Sequence, residues 1–234
     1  MKIEYCNKFL VIENEGKRAF VLGDLHLGYE ASLRQAGILV AEHLFESLIE
    51  EIDNCFEKIG KVDEVVILGD VKHSFGTINY YEKDQFVKLV NYLLERSKKI
   101  IIIKGNHDVL IDYLPKLESV EIKDNYIIDK TLFLHGDKEF SQLEDKTNRV
   151  IMGHLHPAVI INEGVKSEKF KCFLKGKYKS REFIILPSAT GKNEGTDFRD
   201  YEYKAPWSFN LLNFDVIVCG DNGENYKFGK LRNI

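Results

Sequence analysis

Cysteine is scarce and scattered in this chain. Cys6, Cys55, Cys172 and Cys219 form no CxxC pair in 234 residues. That spacing argues against a zinc ribbon and against a disulfide framework. The expectation is four packing residues in a reducing compartment. Long apolar runs are missing too. The longest aliphatic stretches, such as residues 100–103, are strand-length, far short of the roughly 20 residues of a membrane span. The N-terminal MKIEYCNKFLVIENE has no apolar segment of signal-peptide length. A cytoplasmic protein with no membrane partner is therefore expected. An excess of basic residues is absent as well, because the formal net charge is −4. A protein that coats nucleic acid is usually basic. The chain also shows no internal repeat, no low-complexity tract and no long linker.

What is present is an ordinary globular composition, 44% hydrophobic and 12% aromatic. The length suits one domain over residues 1–234 with a core of its own. Strand and helix signals alternate in the first two thirds. Buried-strand runs occur at residues 19–24, 64–70, 99–108, 131–137 and 149–156. Between them, Leu44, Leu48, Ile49, Ile52 and Phe56 recur at helical spacing in residues 40–59, a segment that includes His43. Phe86, Leu89, Val90, Leu93 and Leu94 do the same in residues 81–97. Continuous aliphatic strands flanked by helices indicate a sheet covered on both faces. After His156 strand-like runs dominate, at residues 170–174, 183–186, 208–212 and 216–219. They predict a second sheet packed on the first, so the fold class is an α/β sandwich with two central sheets.

Five short blocks place hard or imidazole ligands directly after buried strands. They are Asp24-Leu25-His26, Gly69-Asp70, Gly105-Asn106-His107-Asp108, His135-Gly136 and Gly153-His154-Leu155-His156. Strand ends are where an open α/β sheet builds its site, so ligands far apart in sequence converge there. In extended backbone the side chains at i and i+2 point the same way, and Asp24 and His26 could then reach one ion. Gly69, Gly105 and Gly153 precede ligands where the chain must turn or come close. The mixed nitrogen and oxygen donors suit a transition metal. Each block alone is a weak signal. Together they hold five of the seven histidines, His26, His107, His135, His154 and His156, and a sixth, His73, follows the second block by three residues. His43 is the exception and reads as structural.

In type and order these blocks resemble the signature of the calcineurin-like metallophosphoesterase superfamily: DxH, GD, GNH followed by Asp or Glu, H, and GHxH. The resemblance implies a four-layer α/β sandwich, with two central mixed β-sheets flanked by helices and metals at the sheet edges. It implies two divalent ions. By position Asp24, His26 and His156 would hold the first, Asn106, His135 and His154 the second, and Asp70 both. His107 would face the scissile phosphate and Asp108 would orient it. Family habit favours manganese, while the ligand types also permit iron, zinc or nickel. The implied reaction is hydrolysis of a phosphate ester by water activated between the metals.

The second block narrows the likeness. It reads GDVKHSFG and lacks the arginine of protein phosphatases. His73 instead resembles a histidine of SbcD-type nucleases, where it would help place a phosphodiester, with Lys72 beside it. A turn histidine bonded to backbone is the competing reading of His73. GHLHPA and LPSATG resemble the compact group of SbcD-related phosphoesterases. The expected substrate is a phosphodiester on a nucleotide or nucleic-acid end. A broad phosphomonoesterase and a non-enzymatic metal-bound scaffold are the alternatives. Arg199 and Arg34 are further candidate substrate contacts. The basic segment 166–181 reads as an edge strand guarded by lysines, or as a phosphate-tracking stripe. Residues 191–206 read as a long polar loop, and Trp207 as core.

Overall fold

The computed structural model describes residues 1–39, 43–115, 117–138, 147–191, 195–199, 206–220 and 222–234. The first sheet runs β1 (Lys2–Cys6), β2 (Phe9–Asn14), β3 (Lys17–Leu22), β4 (Val62–Ile67), β5 (Ser97–Ile103) and β6 (Val120–Lys123), paired in that order. Strands β1 to β3 are antiparallel neighbours, and β3 to β6 run parallel. The parallel strands need crossovers, and helices α1 (Tyr29–Gln35), α2 (Leu44–Ile59) and α3 (Tyr80–Leu94) lie in them. The second sheet contains β7 (Tyr126–Ile128), β8 (Thr131–Leu134), β9 (Arg149–Met152), β10 (Ala158–Glu163), β11 (Lys166–Tyr178), β12 (Arg181–Ile185), β13 (Asp215–Cys219) and β14 (Asn225–Lys230). Its order is β14-β13-β11-β12-β9-β8-β7, with β10 paired to β11. Both sheets are mixed, as expected.

Three apolar layers hold the sandwich together. Leu48, Ile52 and Phe56 of α2 and Phe86, Leu89 and Leu93 of α3 pack on the outer face of the first sheet, against Phe20, Val65 and Ile100. The opposite faces meet sheet to sheet, with Val21, Val66 and Ile101 against Phe133, Ile151, Phe173 and Ile184. Burial on both faces explains why these strands read as unbroken aliphatic runs. The outer face of the second sheet is covered, among the described residues, by Trp207, Leu211 and Phe214. Trp207 is core, as its sequence context indicates, and its Nε1–H donates to Gly136 O at 2.9 Å.

Several expectations need correction. Residues 208–212 form no strand. Phe209 N–H bonds back to Trp207 O and Asn213 N–H to Asn210 O, so the segment closes on itself while its apolar side chains dock on the sheet. Their alternation is real, but it reflects docking rather than pairing. His43 is the N-cap of α2, not a residue within it. Strand β11 is an edge only in part. Residues 166–171 pair with β10 alone, whereas the second half is interior to the sheet, with residues 172–175 on β13 and 174–178 on β12. Lys171 on it is buried, with its Nζ donating to Ser188 O and Thr190 O. Finally, Cys6 and Cys55 are joined as a disulfide that ties β1 to α2, with Cα atoms 6.0 Å apart. Their separation of 49 residues hides the contact from any spacing rule. Cys172 and Cys219 are buried free thiols.

Candidate metal centre

The site forms where the exits of β3, β4 and β5 meet those of β8 and β9. Past β3 the chain turns, and the N–H groups of Leu25 and His26 both donate to Asp70 O, at 3.0 and 2.8 Å. The exits of two neighbouring parallel strands are thereby laced together. The turn is left-handed: His26 has φ 44° and Asp70 φ 47°. On the other sheet His154 has φ 68° and His156 φ 46°. Non-glycine residues rarely adopt this conformation, and where they do the strain often marks a functional site. Convergence of Asp24 with His26 therefore comes from a turn, not from the alternation of an extended strand. The glycines serve close approach. A Cβ on Gly105 would strike the Asp70 carboxylate, and one on Gly153 the Asp24 carboxylate.

Two groups of potential ligands result, and they share one residue. Asp24, His26, Asp70 and His156 offer atoms within 4.8 Å of one another, and so do Asp70, His135 and His154. In the first group His156 Nε2 lies 3.4 Å from both Asp24 Oδ1 and His26 Nε2. In the second, His135 Nε2 lies 3.0 Å from Asn106 Oδ1 and 3.5 Å from Asp70 Oδ1. His154 N–H donates to Asp24 Oδ1 at 3.0 Å and so bridges the two sheets.

The donor chemistry fits cations. His135 Nδ1–H donates to Leu68 O at 2.7 Å, which leaves the Nε2 lone pair facing oxygen acceptors. His26 Nδ1 is buried and bonded to nothing among the described residues. Burial would push Asp24 up, but the imidazoles of His156, His135 and His26 hold its carboxyl well below the usual range. Burial lowers His26 to about 3 and, helped by His135, His154 to about 4. Both are therefore neutral at pH 7, the form that binds metal. Burial raises Asp70, and the Asp24 charge adds to this. A cation between the carboxylates would relieve that repulsion.

The remaining candidates are placed as follows. His107 Nδ1–H donates to His73 O at 2.6 Å, and its Nε2 faces Asp70 Oδ2 at 3.9 Å. The His73 ring stands 6.0 Å from that of His107 and 5.7 Å from that of His26. Asp108 does not bond His107. Its Oδ1 accepts from Val71 N–H and Lys72 N–H, and its Oδ2 from Gly105 N–H. The residue that fixes His107 is thus His73, through its carbonyl, while Asp108 ties the β4 and β5 exit loops together. Burial raises the Asp108 carboxyl to about 6. Lys72 is turned inward, bonded to Ser74 O and Phe75 O. The Arg199 guanidinium is held by Asp197 and Ile160 O. Arg34 bonds Glu30 and lines a separate cavity of about 410 Å³ with His43 and Tyr81. Of the loop at residues 191–206, positions 192–194 and 200–205 lie outside the described residues.

Sequence reasoning missed the support beneath Asp24. Ala189 N–H donates to Asp24 O at 3.1 Å, and Thr190 Oγ1–H to Leu25 O at 2.7 Å. These residues belong to LPSATG, whose role was invisible without the register that brings β12 beside β9. The Asn79…Glu82 capping box was legible as an N-x-x-E pattern ahead of an apolar run.

A sequence model of the calcineurin-like phosphoesterase family matches residues 17–223, and the chain belongs to that family. It is a metal-dependent phosphoesterase, a hydrolase of phosphate esters. No curated relative matches by sequence. Among solved structures, the chain resembles the nuclease MPE of Pseudomonas putida with a TM-score of 0.59 and 17% identity, over 94% of this chain and 100% of that one. YfcE, a phosphoesterase from E. coli, aligns with a TM-score of 0.44 and 16% identity over 91% and 98% of the two chains. At these identities the likeness to MPE shows the fold alone. No helix among the described residues is long and apolar enough to cross a membrane.

Proposed function

We propose that the chain is a dinuclear-metal phosphodiesterase acting on a nucleotide or nucleic-acid end. The observation that carries this is Asp70, a buried carboxylate common to both ligand groups. Asp24, His26 and His156 would complete one metal site, and Asn106, His135 and His154 the other. A shared carboxylate is how two cations are held roughly 3.5–4 Å apart. Bound there, the ions supply a water acidified toward neutral pKa and positive charge against the phosphoryl oxygens. We place manganese first, with iron, zinc or nickel compatible with the same donors.

The chain's own contribution to the leaving group is His107. Its Nδ1–H is committed to His73 O, so Nε2 is the atom that faces the cluster. Protonated there, His107 donates to the departing alkoxide oxygen as its bond to phosphorus breaks. His73 fixes that ring through its carbonyl, and Asp108 fixes the backbone on both sides. The likeness of fold to MPE, a nuclease, supports a diester over a monoester.

Metal-free protein reconstituted with manganese is expected to turn over a bis-aryl phosphate faster than the mono-aryl ester. The reverse preference would make it a phosphomonoesterase. No turnover of any phosphate ester with manganese, zinc or nickel supplied would make it a scaffold.

A further inference from the structure

The loop between β4 and α3 is organised by two buried charges that metal binding does not require. Lys72 and Glu82 are each 1% exposed. The Lys72 ammonium donates to Ser74 O and Phe75 O. The Glu82 carboxylate accepts from Ser74 N–H at 2.7 Å and from Asn79 N–H at 2.9 Å. His73 N–H donates to Leu27 O at 3.0 Å. Burying a lysine and a glutamate is unfavourable unless each is fully bonded. Here both are used to fix one short stretch of backbone.

That stretch presents Phe75, whose surface is 55% exposed. One face of its ring lies against His107, with centroids 3.7 Å apart and planes at 34°. The row continues from His107 to His73, and from His73 to Tyr29 at 4.7 Å. His26 touches both histidines of the row, at 5.7 and 4.9 Å. The metal cluster therefore has a wall of aromatic rings, and the outermost is a phenyl open to solvent. A single exposed aromatic on a loose loop calls for no explanation. One set against the candidate acid by hydrogen-bonded backbone does, because a shield for His107 would be served as well by a packed aliphatic side chain. A flat apolar face beside a phosphate-binding cluster matches a nucleobase, which stacks on aromatic side chains whatever its sequence.

We propose that Phe75 is a specificity-determining residue on which an unpaired base of the substrate stacks while its phosphodiester lies at the metals. A base within a duplex has both faces covered by its neighbours, so the substrate class is a single-stranded end or a dinucleotide. The inference rests on the phosphodiester reading and adds the substrate to it.

Two measurements test it. The first compares the p-nitrophenyl ester of thymidine 5′-phosphate with methyl p-nitrophenyl phosphate, which shares the leaving group and lacks the base. Phe75→Ala should lower the kcat/KM preference for the nucleotide ester about tenfold, mainly through KM, and Phe75→Trp should retain it. That loss lies in the range of one base–aromatic stack. An unchanged preference in Phe75→Ala overturns the proposal, even where both rates fall together through His107. The second measures binding of a fluorescent oligothymidylate and of its abasic counterpart to the full chain with manganese. Wild type should prefer the former and Phe75→Ala should not. Equal binding of the two by wild type overturns the proposal. If wild type cleaves no diester but shows the base preference, the phosphodiester reading fails and the platform stands.

Discussion

At the scale of single residues, the site is a set of side chains whose protonation is decided by burial and by each other. His26 and His154 are neutral because burial disfavours their charge. Asp24 is ionised because three imidazoles outweigh its burial. His107 stands apart from this set. Its Nδ1 bonds a carbonyl, and no metal assignment uses it. His107→Ala should therefore lower turnover about 10²–10⁴-fold, the range of a general acid, with both ions still bound. Metal content of the purified variant and single-turnover rates check this. Loss of an ion would make His107 a ligand instead. The candidate ligands were legible in the sequence because five blocks of imidazole and carboxylate follow buried strands in one chain, although each block alone is a weak signal. Asp108 was not. Its place next to His107 suggested a partnership, yet its carboxylate points at the N–H groups of Val71, Lys72 and Gly105.

At the scale of elements, strand exits do the positioning, and glycine sets how near they come. Gly153 and Gly105 each face a ligand carboxylate that an added Cβ would strike. Neither has a positive φ, so the strain of an alanine falls on its neighbours: on the Asp24 carboxylate at Gly153, and on the Asp70 carboxylate and backbone N at Gly105. Gly153→Ala presses on Asp24, which in the proposed centre would serve one ion, and Gly105→Ala on Asp70, which would serve both. Calorimetric titration with manganese should show one weakened ion in the first variant and two in the second, by about 10–100-fold, as for lost ligand support. Equal effects would sink the shared-Asp70 assignment. Helices α2 and α3 were readable from their period and kept their apolar faces inward as expected. Strands β3 to β5, β8, β9 and β11 to β13 were readable from their aliphatic runs, whereas α1 and strands β1, β2, β6, β7, β10 and β14 were not. The segment at residues 208–212 was not, because docking on a sheet face imposes the same alternation as pairing within it.

For the whole molecule, the helix layer and the first sheet are tied by more than packing. The Cys6–Cys55 disulfide closes a span of 49 residues between β1 and α2. A bridge over such a span contributes about 2–4 kcal/mol, mainly by restricting the unfolded chain. Urea denaturation of Cys55→Ala should show a loss of that size, and reductant should produce the same loss in wild type and none in the variant. Stability unaffected by reductant would show that the sulfurs are not joined in solution.

The sequence by itself determined the ligand types, their order and the alternation of strand and helix, because side-chain chemistry and hydrophobic period are properties of short stretches. It thereby set the class of reaction. The tertiary structure decided what depends on distant segments meeting. That includes the left-handed turns that aim His26, Asp70, His154 and His156, the carbonyls that orient His107 and His135, and the interior place of the second half of β11. It also includes the joining of Cys6 to Cys55 and the hydrogen-bonded loop that holds Phe75 against His107. Each of these is a contact between residues many positions apart, and no local pattern encodes it.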